Sequence, residues 1–164
     1  TTEIPVNSEG IFNVEDINEE TKKSLTFLSV MMANNETGVI QNIAEIADWT
    51  KKNDIQFHTD AVQALGKIKV DFEGLDIDAM TISSHKIYGP QGIAALIVNK
   101  KIDLFPHMQG GGQERGLRSG TENIAAIIGF GKACERSSQN IVTFNEKVKH
   151  LNAILEKALF DLDA

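Results

Sequence analysis

The amino-acid sequence predicts an α/β domain with a mostly parallel sheet and flanking helices. Three observations carry this. Four short apolar runs have the length of strands, segments of helical period separate them, and polar side chains gather just after the runs.

The elements follow in order. Leu25 to Ala33 (LTFLSVMMA) is a continuous apolar run, as a strand buried on both faces would be. Ile43, Ile46, Ala47 and Thr50 then keep helical spacing, with Asn42 placed as N-cap and Glu45 three residues on. Ile55 to Thr59, Ile77 to Ser83 and Ile93 to Val98 read as three further strands. Met108 to Gly120 is a glycine-rich loop, and Ser119 with Glu122 has capping-box spacing, which predicts a helix running towards Glu135. Phe144, Val148, Leu151, Leu155, Ala158 and Leu162 step by four and three along one face of a second long helix, a core or interdomain stripe. The Ser137-Ser138-Gln139-Asn140 stretch between the two helices marks the expected boundary, dividing the chain into 1–136 and 137–164.

Composition narrows the class. A chain of 164 residues with 41% hydrophobic and 24% charged residues suits one ordinary globular domain rather than a disordered or disulfide-built chain. Acids outnumber bases 23 to 16 and no Lys/Arg-rich run occurs, which argues against nucleic-acid binding through a basic face. No apolar run approaches the ~20 residues of a membrane helix, and no signal-peptide pattern opens the chain. Cys134 is the single cysteine, so an internal disulfide is excluded and a reducing compartment fits. The chain opens Thr-Thr rather than on Met.

The chemistry-bearing residues sit at the carboxyl ends of the predicted strands, where open α/β sheets bind ligands. Asn34 to Gly38 follow the first run, Asp60 and Gln63 the second, and Ser83, Ser84, His85 and Lys86 the third. Polar residues also end strands merely because loops are wet. A lysine at a buried strand end gains nucleophilic character by desolvation and suits Schiff-base chemistry. An aspartate at the neighbouring end suits a protonated pyridinium nitrogen. Asp60 and Lys86 therefore point together to pyridoxal 5'-phosphate, although each residue type is common. Gly110, Gly111 and Gly112 would let backbone approach a phosphate beside Arg115 and Arg118, or would form a mobile surface loop. A P-loop is a poor rival, because no Gly-Lys-Ser/Thr ending follows. His58, Asp60 and His85 are also of metal-ligand type, but the same positions fit the cofactor. Cys134 reads as a structural thiol and Trp49 as packing.

Four longer words carry a resemblance: NNETGVIQ (34–41), HTDAVQALGK (58–67), SSHKIYGPQGIAAL (83–96) and GGGQERGLRSGTEN (110–123). In this order and spacing the sequence resembles the cysteine desulfurases, class V, fold-type I pyridoxal-phosphate enzymes, from about Ile4 to about Ala158. The resemblance implies that Lys86 forms the internal aldimine and later moves the substrate α-proton, and that Asp60 partners the pyridine nitrogen. It implies that Gln63 and Asn35 bond the ring's phenolic oxygen, Asn35 also reaching towards the substrate carboxylate, while Val62 packs on a ring face. Ser83 and His85 match the residues that hold the phosphate. Thr121 matches a threonine that reaches the phosphate in the other subunit of a homodimer.

The activity implied is conversion of L-cysteine to L-alanine with a persulfide left on the enzyme. The sulfur then passes to acceptor scaffold proteins for iron–sulfur cluster assembly and to thiolation. Family members are more than twice as long. The glycine-rich phosphate cradle, the ring-stacking histidine, the nucleophilic cysteine loop and the carboxylate-gripping arginine of the family have no counterpart here. The chain is therefore expected to be a middle slice: a partial large cofactor domain (1–136) and the first helix of the small domain (137–164). Alone it is expected not to turn over cysteine. A non-catalytic structural or interaction domain is the alternative. A different class V enzyme, such as a selenocysteine lyase or an aminotransferase, is another. The expected compartment is the bacterial cytoplasm, or else the mitochondrial matrix.

Overall fold

The computed structural model describes residues 1–162; the last two residues of the 137–164 segment lie outside the described residues. The helices are α1 (Glu19–Ser24), α2 (Ile43–Lys52), α3 (Phe72–Leu75) and α4 (Ile124–Phe160), and the strands are β1 (Phe27–Met31), β2 (Gln56–Asp60), β3 (Ala79–Ser83) and β4 (Ala94–Val98). They form one four-stranded sheet in the order β1-β2-β3-β4. β1 pairs with β2 and β2 with β3 in parallel, the connections passing through α2 and α3. β4 runs antiparallel to β3. Its connection is a short turn and loop from Ser84, less than the dozen or more residues that a parallel crossover requires.

α2 starts as its sequence predicts. Asn42 Oδ1 accepts from Glu45 N at 3.4 Å, and its Nδ2 donates to Glu45 Oε2 at 2.7 Å. Ile43, Ile46, Ala47 and Thr50 are buried, and Ile46 and Ala47 join Leu28, Phe57, Met80, Ile82 and Phe130 in a single hydrophobic cluster.

Three expectations need correction. β1 is not buried on both faces: Leu28 is 5% exposed but Phe27 is 53% exposed. The glycine-rich loop does not lead into a helix capped by Ser119. Ser119 N instead donates to Met108 O at 3.2 Å, and the cap is Asn123, whose Oδ1 accepts from Ala126 N at 3.1 Å. The two predicted C-terminal helices are one, because Ser137 to Asn140 are helical. Their side chains bond back onto the preceding turn: Ser137 Oγ to Cys134 O at 3.0 Å, Ser138 Oγ to Glu135 O at 2.9 Å and Asn140 Nδ2 to Arg136 O at 2.7 Å. No Gly or Pro interrupts the helix there. α4 approaches the loop after β3 closely at Gly129, where a Cβ would lie 2.5 Å from Pro90 Cγ.

Candidate functional site

The pleat divides each strand between two faces. Leu28, Phe57, Thr59, Met80 and Ile82 belong to one face. The register puts Phe27, Ser29, His58, Asp60, Thr81 and Ser83 on the other. Asp60 ends β2 opposite Thr81, and Ser83 ends β3 two residues further along that face. Asp60 Oδ1 accepts from Val62 N at 2.8 Å, which folds the chain back over the strand end. His58 spans three strands: Nδ1 lies 2.8 Å from Ser29 Oγ and Nε2 2.9 Å from Thr81 Oγ1. The Phe27 ring is stacked on it at 6.4 Å between centroids. Burial pushes the His58 imidazole below its ordinary range, and the charge of Asp60 opposes this in part.

The turn after β3 brings the next group. Ser83 Oγ and His85 Nδ1 are 2.9 Å apart. Ser84 is fully buried beneath the turn, and its Oγ has no hydrogen-bond partner among the described residues. Gly89 N donates to Ser84 O at 3.0 Å, and Tyr88 takes a left-handed backbone (φ 65°) to turn the chain towards β4. Lys86 is exposed in this turn, three residues past β3, rather than buried at the strand end as expected, because the chain turns outward after the buried Ser84. It lines a cavity of about 370 Å³ together with Lys67 and with Arg136 and Phe144 of α4. Lys67 Nζ donates to Gln63 O at 3.0 Å and to Gln63 Oε1 at 2.9 Å. Burial first, and then the nearby charge of Lys86, push the Lys67 ammonium below its ordinary range.

The structure puts Asp60 and Ser83 at two neighbouring strand ends, with Val62 in the turn after the first and His85 and Lys86 in the turn after the second. Gln63 bonds Lys67, which lines a cavity with Lys86 but with none of the other predicted residues. Asn35 sits exposed in the turn after β1. That turn is held by Asn34, whose Oδ1 accepts from Glu36 N and Thr37 N, both at 2.9 Å. Thr121 is exposed just ahead of the α4 cap, and no described contact ties it to Asp60 or Lys86. Sequence reasoning missed Lys67, the His58 bridge between strands and the burial of Ser84. The four-residue step from Gln63 to Lys67 inside HTDAVQALGK is the signal that could have found the first. Among the described residues no three of His, Cys, Asp and Glu are grouped to hold a metal ion. A larger hollow of about 990 Å³ lies between the N-terminal segment and β1, but none of the predicted cofactor residues line it.

The donor set at the strand ends is one that a phosphorylated pyridine aldehyde would use: a carboxylate, a paired hydroxyl and imidazole, and a primary amine. Across its whole length, residues 1–164, the sequence matches the aminotransferase class-V family. The chain belongs to that family. It is 43% identical over 158 residues to the cysteine desulfurase IscS of Clostridium botulinum, a match that covers 96% of this chain and 40% of the relative. It is 44% identical over 163 residues to a mitochondrial cysteine desulfurase of Candida maltosa, covering 98% of this chain and 34% of the relative. Among solved structures, a NifS-like protein from Rickettsia africae superposes with a TM-score of 0.91 at 45% identity, over 96% of this chain and 45% of that one. The chain therefore spans less than half the length of each of these relatives, and its mostly parallel open sheet with helices is shared with the NifS-like structure.

Proposed function

We propose that this chain carries the cofactor-binding part of a pyridoxal-phosphate-dependent cysteine desulfurase, whose overall reaction moves sulfur from L-cysteine to a protein thiol. The C–S bond of cysteine breaks, the sulfur joins the thiol as a persulfide, and L-alanine leaves. One observation carries the reading. Asp60 and the Ser83–His85–Lys86 turn stand at adjacent strand ends, in a sequence similar to desulfurases along nearly its whole length.

The cofactor, when bound, supplies an electron sink for charge developing at the substrate α-carbon. The residues here divide the remaining work. Asp60 offers its second carboxylate oxygen, Oδ2, to the ring nitrogen and keeps a proton there. Val62 would pack on a ring face. Ser83 Oγ and His85 present donors to the phosphate. Lys86 would provide the amine that binds the cofactor aldehyde, and its Nζ would carry the substrate α-proton. Gln63 and Asn35 bond the phenolic oxygen, and Thr121 serves the partner subunit of a homodimer. The sulfur leaves for acceptor scaffold proteins. Residues 137–164 begin the small domain.

Cys134 is a poor candidate for the accepting thiol. It is half-buried on α4, and burial pushes its thiol above the ordinary range, so little thiolate forms. This observation supports the second reading, that the 164-residue chain by itself is non-catalytic.

The test is cofactor capture. Addition of pyridoxal phosphate gives a new absorption band, and borohydride then fixes one cofactor per chain onto the peptide that contains Lys86. Retention of the reduced adduct in Lys86→Ala, or no band in the parent chain, overturns the proposal. The same sample releases no alanine from L-cysteine; release of alanine would overturn the non-catalytic reading of the chain alone.

A further inference from the structure

We propose that Lys67 is a positioning residue that sets which end of the Gln63 carboxamide faces the cofactor ring. The inference rests on the cofactor reading above.

The geometry is specific. Lys67 Nζ lies 2.9 Å from Gln63 Oε1 and 3.0 Å from Gln63 O, so one ammonium holds both the backbone and the side chain of the same residue. An ammonium has three donors and no acceptor. Only the carboxamide oxygen can face it, which settles an orientation that a glutamine in neutral surroundings leaves open. The Gln63 Nε2 group, with two N–H donors, is then turned away from Lys67. The phenolic oxygen of the cofactor is an acceptor when ionised, so Gln63 serves it only by presenting Nε2. A reversed amide would set oxygen against oxygen.

Lys67 is an unusual choice for a mere loop staple. Lysines normally keep the ammonium in water, whereas Lys67 is only partly exposed and lines the same cavity as Lys86. Its lowered basicity reflects that burial and the neighbouring like charge. A group held there against both costs, with its donors on the one glutamine the ring needs, has a purpose beyond closing the turn.

Two variants and one background test this. Lys67→Met keeps the stem and removes the donors; Lys67→Arg keeps donors. In the cofactor-free protein, the side-chain amide resonances of Gln63 in ¹⁵N spectra move in Lys67→Met and return towards the parent in Lys67→Arg. In titrations with pyridoxal phosphate, Lys67→Met binds about tenfold more weakly, the equivalent of one lost hydrogen bond to a charged group, with a displaced absorption maximum. Lys67→Arg recovers most of both. Made in a Gln63→Ala background, Lys67→Met adds no further loss, because its effect passes through Gln63. Unchanged affinity and spectrum in Lys67→Met, or an equal further loss in the Gln63→Ala background, overturns the proposal. If the parent protein takes up no cofactor, the cofactor reading fails, and the amide resonances alone decide: unchanged in Lys67→Met, they overturn the orienting role as well.

Discussion

Gly89→Ala tests how the Lys86 turn is locked against α4. Gly89 is not held in the left-handed region, so alanine suits its backbone and the effect is steric. An added Cβ would sit 2.9 Å from Ala133 Cβ and 3.1 Å from Ser84 O, and would overlap Ser84 Oγ. Carbon contacts are optimal at about 3.5–4.0 Å. Ser84 is 0% and Ala133 9% exposed, so neither has open space to retreat into. Overpacking of this kind costs about 1–3 kcal/mol, and three simultaneous overlaps place Gly89→Ala at about 2–3 kcal/mol. For a chain of this size that lowers Tm by roughly 4–12 °C. Ser84→Ala works the other way. It deletes a buried hydroxyl without a partner, so it is neutral or gains up to about 1 kcal/mol. The double variant loses the worst overlap but keeps those with Ala133 and Ser84 O, so it recovers about 1 kcal/mol beyond additivity. Urea unfolding followed by far-UV circular dichroism, at constant m-value, measures all three. A Gly89→Ala within about 0.5 kcal/mol of the parent, or a double variant no more stable than additivity allows, refutes the steric account.

Other outcomes follow from the same structure. His58 is held below its ordinary value of 6.5, chiefly by burial. Its contribution to stability is therefore complete above that value and lost as pH falls through the lower, folded-state value. Urea midpoints from about pH 8 to about pH 5 drop more steeply in the parent than in His58→Gln, and equal slopes would refute this. Cys134, shielded on α4, reacts with iodoacetamide at least about tenfold more slowly in the folded chain than in urea, and equal rates would contradict its burial. The chain is expected to self-associate. Phe27 and Leu96 (each 53% exposed) and Leu151, Leu155 and Leu159 of α4 (51%, 58% and 54%) lie open, and β1 and β4 are sheet edges. Sedimentation velocity shows concentration-dependent species that Leu151→Lys with Leu155→Lys reduces; a monodisperse parent monomer counts against it.

What the sequence made legible was local or sharply patterned. The strand runs, the Asn42 cap and the placing of Asp60 and Ser83–Lys86 at strand ends all follow from short words whose alternatives are few. The failures have a common cause. Ser137, Ser138 and Asn140 are residues whose side chains bond nearby backbone. The same capacity that marks a break in sequence here ties them to Cys134 O, Glu135 O and Arg136 O inside a helix. Ser119 could cap, but the loop's own bond to Met108 takes its backbone and Asn123 does the work. Lys67 stayed hidden because it meets its partner within a series of turns, Val62 to Lys67, where a single four-residue step is a weak signal beside the longer periodicities of the helices.

β2 shows why the site and the core are read from one strand. Phe57 and Thr59 are 1% and 0% exposed, while His58 and Asp60, between and after them, face the other side. Because the side-chain period is two, a slip of one residue against β1 or β3 would bury His58 and Asp60 and expose Phe57. The register is therefore under two constraints at once. Thr59 supplies a further pin: its hydroxyl, inside the core, donates to Val30 O at 2.9 Å across the strand pair. A slip would break that bond and carry Thr59 out of the core together with Phe57. LTFLSVMMA is apolar in both parities and gives β1 no such signal of its own. Its register is set by β2, through Val30 facing Thr59 and Ser29 facing His58. The strand that carries Asp60 thus fixes the position of its neighbour, and the orientation of the functional face follows from packing on the opposite one.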